Sequence, residues 1–189
     1  MHANAPQTAP EIASETAPQD DVQFWQEAPA QRCAADAGAG PADAVSGIQP
    51  LCAASRQTVV IDTNIILDVF VFADAAAKSV RLALEAGELD WIATQPMRDE
   101  LARVLDYPQI VPRLAFYRLS ADDVLAAFDR HARLQGVALK ARLNCSDPDD
   151  QKFIDLAVAG QTLLLSKDRH VLSMSKRLLA HGVRARAAL

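Results

Sequence analysis

From Gln57 onward, short runs of β-branched and aliphatic residues alternate with longer stretches in which apolar side chains recur every three or four positions. Residues 58–61 (TVVI) are too few for a helix and read as a buried strand. Residues 75–87 carry Val80, Leu82 and Leu84 and stop at Gly87, which predicts a helix. Residues 90–94 (DWIAT) read as a second strand. Residues 95–106 follow as a helix with Thr94 as N-cap and Pro96 in its first turn, ended by Pro108. Two more helices are expected near 110–118 and over 121–134, the second capped by Ser120, and then a weak strand at 137–139. A helix over 147–159, a strand over 162–165, a helix over 170–181 and a last strand over 183–187 complete the pattern. Strands separated by helices predict an α/β fold, a three-layer α/β/α sandwich built on a mainly parallel sheet. In such folds ligands bind beyond the carboxyl ends of the strands.

The periodic pattern does not extend to the N-terminal side. Residues 1–56 contain 15 Ala, 6 Pro and 3 Gly, types that supply little apolar area, and read as a disordered extension whose one sticky spot is Phe24-Trp25. The domain is therefore expected over residues 57–189. Charge divides at the same place. The first 56 residues hold 2 basic and 7 acidic side chains, whereas the rest hold 17 of each. A neutral domain has no overall field to steer it to nucleic acid, so any such binding must come from a local basic patch. Cys33, Cys52 and Cys145 are too scattered for a disulfide framework or a zinc site and fit a reducing compartment. Residues 1–20 lack the basic start and apolar run of a signal peptide. The longest apolar stretch, 58–77, is interrupted by Asp62, Asn64, Asp68 and Asp74, which argues against a membrane span. A soluble cytoplasmic protein is expected.

Four carboxylates stand out by position. Asp62 directly follows the first strand and Asp168 follows the strand at 162–165, so both are expected at the crevice edge. In the helix after Pro96 the apolar stripe is Met97, Leu101, Val104 and Leu105; Glu100 lies three residues after Met97 and four before Val104, on the buried side. Asp99 falls on a flanking face. In the helix opened by Asp147 and Pro148, Asp150 precedes the stripe residues Phe153, Ile154 and Ala157 at helical spacing, whereas Asp149 points about 100° away. Asp147 and Asp149 are explained by helix capping and the macrodipole; the inward aim of Asp150 is not, because a buried carboxylate needs a partner. Acids of this kind without a His or Cys cluster suit a hard cation, magnesium or manganese. Such an ion activates water and neutralises charge on a phosphodiester, which points to phosphoryl chemistry.

The motifs TVVIDTNIILD, DELARVL, DPDDQKFIDLA and LLLSKD, in this order, resemble those of PIN-domain ribonucleases, most of all the branch of toxins of bacterial toxin-antitoxin systems. The resemblance runs from about Thr58 to Val183. It implies a metal-dependent endoribonuclease in which Asp62, Glu100, Asp150 and Asp168 are the catalytic, metal-binding acids and Asn64 is the polar residue that steadies the first of them. It further implies Mg2+ or Mn2+ as cofactor, RNA as substrate, a small antitoxin protein as partner and homo-oligomer assembly. One departure is Lys167, where the family often has a small residue before the fourth acid.

Residues 167–189 carry Lys167, Arg169, Lys176, Arg177, Arg184 and Arg186 against the single acid Asp168. Of these, Lys167, Arg169, Arg184 and Arg186 are the candidate RNA contacts, holding backbone phosphates beside the acidic crevice. Two other readings compete. An aspartyl phosphatase of the haloacid dehalogenase type also begins at a strand-end Asp but wants a second Asp two residues on, where this chain has Asn64. A non-catalytic protein- or RNA-binding module could keep the fold without the reaction.

Overall fold

The computed structural model describes residues 56–189. The expected extension, with Phe24-Trp25, lies outside the described residues apart from Arg56. The first strand, β1 (Gln57–Ile61), ends in three buried aliphatics and is followed at once by α1 (Thr63–Phe70). A 3-10 turn (Ala75–Ala77), α2 (Lys78–Glu85), β2 (Leu89–Thr94) and α3 (Gln95–Leu105) come next. The chain continues through α4 (Val111–Phe116), α5 (Ala121–His131), β3 (Ala132–Gln135), α6 (Gln151–Gly160), β4 (Leu163–Leu165), α7 (Arg169–Ser173), α8 (Ser175–Leu179) and β5 (Arg184–Arg186).

The five strands pair in the order β3-β2-β1-β4-β5, and every pairing is parallel, as the alternation of strands and helices predicts. Both faces are covered. Successive strand residues point to opposite faces, and on β2 Trp91 packs its ring against Phe70 of α1 and, edge-on at 4.8 Å, against Phe128 of α5. Its neighbour Ile92 points the other way, toward α6: a Cβ at Gly160 would stand 3.6 Å from Ile92 Cδ1. These contacts define the three layers.

Three local expectations are corrected. No element was expected between Asp62 and Ala75, yet α1 lies there. Its sequence TNIILDVF is apolar on nearly all sides and buries Ile65, Ile66, Leu67, Val69 and Phe70, so no polar stripe marks it as a helix. The edge strand is at Ala132–Gln135, overlapping the last three residues of the stretch expected to be helical, because Ala132 turns extended and pairs with Trp91. Val137 and Leu139, the expected strand, are 71% and 91% exposed. The stretch 170–181 is two short helices that meet at Met174.

Chain direction sets the functional end of the sheet. From β1 the chain moves outward through β2 to β3, then crosses back to β4 on the other side of β1. The strand order reverses between β1 and β4, and at such a switch point a crevice opens beyond the carboxyl ends. Asp62 and Ser166 are the residues that follow those two strands.

Candidate active site

Asp62 leaves β1 with its backbone N–H bonded to the Leu165 carbonyl at 2.9 Å, so the sheet pins its position. The residue is 4% exposed. Its Oδ2 accepts from Ser166 Oγ at 2.5 Å and from Asn64 Nδ2 at 2.8 Å. Burial pushes its pKa up; the Ser166 hydroxyl opposes this and nearby Glu100 adds to it. Asn64 has a second role. Its Oδ1 accepts from the Lys167 N–H at 3.1 Å, tying the turn after β1 to the turn after β4.

Asp168 closes that second turn. Its N–H donates to Ser166 Oγ at 3.0 Å, and its Oδ1 caps α7 by accepting from the His170 N–H at 2.6 Å. Ser166 is therefore a buried hub between the first and fourth acids. Glu100 enters from α3. Thr63 Oγ1 donates to its Oε1 at 3.1 Å, and its Oε2 is ion-paired with Lys152 Nζ.

Asp150 stands at the start of α6, which begins at Gln151 rather than at Asp147. The preceding loop is fastened to the helix: Gln151 Oε1 accepts from the Cys145 N–H, Gln151 Nε2 donates to the Leu143 carbonyl, and Asp155 Oδ1 accepts from the Ala141 N–H, each at 2.8 Å. This places Asp150 among carboxylates. Burial first, then Asp62, Asp168 and Asp147, raise its pKa to about 7, with Lys152 pulling the other way. Its Oδ2 is buried with no hydrogen-bond partner. Two other buried carboxylate oxygens without hydrogen bonds, Asp68 Oδ2 and Glu100 Oε2, face lysine ammonium groups.

The structure brings Asp62 and Asp168 within electrostatic reach of Asp150, with Glu100 near Asp62. Asp99 and Asp149 are exposed, Asp99 bonded to Gln95 and Asp149 on the loop. Among the described residues, no three His, Cys, Asp or Glu side chains form a ready-made cage for an ion. The chemistry of the set still fits a hard cation: the donors are oxygens, they repel one another, and one carboxylate oxygen is buried without a partner.

Three residues were missed at sequence level. Thr63 and Ser166 look like ordinary turn residues, and only the fold brings them to the acids. Asp147, expected as a helix cap, instead accepts from the Asp149 N–H at 2.9 Å within the loop and adds its charge beside Asp150.

The basic candidates divide. Lys167 Nζ is held by Asp68 Oδ2 at 2.6 Å and Asp74 Oδ2 at 3.0 Å, so its charge is matched by two carboxylates. Arg184 is at the amino end of β5, where it lines a cavity of about 320 Å³ with Thr58, Gln161 and Thr162, at the end of the sheet away from Asp62. Arg169 and Arg186 are exposed on the carboxyl side, and the Arg186 carbonyl accepts from the Ser166 N–H at 2.9 Å.

Comparison with known proteins adds two similarities. The crystal structure of VapBC2 from Rickettsia felis bound to a DNA fragment from their promoter aligns at 10% identity and a TM-score of 0.46, covering 69% of this chain and 98% of that one. No curated protein matches. The family model for the PIN domain matches residues 58–170, well over half of the chain and from β1 into α7, a span that contains all four acidic motifs. The chain belongs to the PIN-domain family.

Proposed function

We propose that this protein is a divalent-metal-dependent endoribonuclease, with Asp62, Glu100, Asp150 and Asp168 holding Mg2+ or Mn2+. The observation that carries the reading is Asp150, whose Oδ2 is buried without a partner and whose pKa is pushed to about 7 by burial and by Asp62, Asp168 and Asp147. A cation relieves that strain directly. When bound, such an ion activates water and neutralises charge developing on a phosphodiester. The chain's own residues set the stage for it. Ser166 and Asn64 hold Asp62 Oδ2, Thr63 holds Glu100, and the bond from the Lys167 N–H to Asn64 keeps the two turns in register. Arg169 and Arg186 hold backbone phosphates beside the crevice.

By resemblance of its motifs the biological role is that of a toxin neutralised by a small antitoxin protein, acting in the cytoplasm and assembling with copies of itself. No helix among the described residues is long and apolar enough to cross a membrane. A second reading, a non-catalytic module of the same fold, is favoured by one observation, the lysine already seated on Glu100. Incubating the full chain with single-stranded and structured RNA, with Mn2+ or with chelator, separates the two. Cleavage that requires the metal supports the nuclease, and binding without cleavage supports the module.

A further inference from the structure

Lys152 sits on the first turn of α6, two residues after Asp150. Its Nζ meets Glu100 Oε2 and the Asp149 carbonyl, and it lies 4.8 Å from the centroid of the buried Phe153 ring. The Lys152 and Glu100 side chains are only 23% and 19% exposed, so this pair is shielded compared with an ordinary surface bridge. Both oxygens of Glu100 are engaged, one by Thr63 and one by an ammonium. Its charge is thus already balanced by the chain, whereas the buried Asp150 Oδ2 has no partner. The lysine also bridges α3 to α6, the elements that carry the second and third acids.

We propose that Lys152 is an internal counter-cation of the acidic crevice: it occupies the Glu100 carboxylate and must yield it before that carboxylate can serve a divalent ion. This inference rests on the metal-site reading above. Lys152 is a positioning residue that acts through Glu100. It keeps the crevice assembled without an ion and weakens affinity for one, because an ammonium near a dication repels it.

The test is Mn2+ binding to the full chain by titration calorimetry, with wild type, Lys152→Met and Lys152→Arg. Methionine keeps an unbranched apolar chain over Phe153 and removes the charge; arginine keeps the charge. Lys152→Met is expected to bind Mn2+ about tenfold more tightly than wild type, with Lys152→Arg close to wild type. The gain should disappear in Lys152→Met combined with Glu100→Gln, since the two residues are coupled. A purely structural lysine gives unchanged or weaker binding in Lys152→Met, which overturns the proposal and leaves the metal site standing. Absence of Mn2+ binding in wild type and all variants overturns the metal-site reading and the proposal with it.

Discussion

Ser166 lies 104 residues after Asp62 in the chain and donates its hydroxyl to Asp62 Oδ2 at 2.5 Å. The bond joins the ends of β1 and β4, the two strands at which the sheet order reverses. It also opposes the upward push of burial on the Asp62 pKa. The same oxygen of Ser166 receives the Asp168 N–H, so one fully buried hydroxyl aligns two acids.

Ser166→Ala should therefore cost stability as well as activity. A hydrogen bond to a charged, buried group contributes about 1.5–3 kcal/mol, and the variant leaves Asp62 with only the Asn64 amide on that oxygen. Denaturant unfolding of both proteins measures the loss. A change below a few tenths of a kcal/mol means that Asp62 finds another donor.

Without metal, stability should fall as pH rises from the ordinary aspartate value of 3.8 through about 7. Asp150 holds its proton in the folded chain up to about 7, so the native state binds more protons than the unfolded one across that window. The stabilising contribution is complete below 3.8 and lost above about 7; the raised Asp62 acts in the same direction. Asp150→Asn removes the titration and should melt higher than wild type at pH 8 in chelator. Millimolar Mn2+ should reverse that order, because the ion stabilises the protein that binds it better. Thermal melts of both proteins with chelator and with Mn2+ check both signs.

Lys167 and the two arginines should behave differently on RNA. Arg169→Glu with Arg186→Glu should weaken binding and flatten its salt dependence, each lost contact to a single strand reducing the slope by about 0.7. Lys167→Ala should leave the slope unchanged and lower the melting temperature, since it strands Asp68 Oδ2 without its ammonium. Filter binding across a salt series, alongside a melt, separates the two roles.

Gln161 closes α6 in the left-handed region, at φ 49° and ψ 48°. That conformation suits glycine, and Gln161→Gly should raise stability by about 0.5–1 kcal/mol, the left-handed cost less the extra freedom of glycine in the unfolded chain. Chemical denaturation measures it.

Much of this molecule was legible in its sequence because burial on both faces writes a strand as an unbroken aliphatic run, as in TVVI, and a crevice-facing helix as a stripe with an acid in it. Glu100 could be chosen over Asp99 on that basis; Asp150 was chosen on the spacing of a helix starting at 147, whereas α6 begins at Gln151 and Asp150 stands just before it, and the structure exposes Asp99 and Asp149. Helix α1 was hidden because a helix buried nearly all round has no polar stripe. Strand β3 was hidden because an edge strand with one half-buried and three exposed residues carries no alternation. The links from Thr63 to Glu100, Lys152 to Glu100 and Ser166 to Asp62 join side chains far apart along the chain, and no local pattern encodes them. The pairing of Lys167 with Asp68 and Asp74 also joins the turn after β4 to residues about a hundred positions earlier, which no local pattern shows.

The most direct measurement is RNA cleavage by purified wild type, Asp150→Asn and Asp149→Asn, each with Mn2+ and with chelator. Asp150 contributes a buried, partnerless oxygen to the crevice, and Asp149 is exposed. A metal site built on these acids predicts Mn2+-dependent cleavage by wild type, near-complete loss in Asp150→Asn with its circular-dichroism spectrum unchanged, and little change in Asp149→Asn. Cleavage that survives in Asp150→Asn, or that persists in chelator, contradicts it.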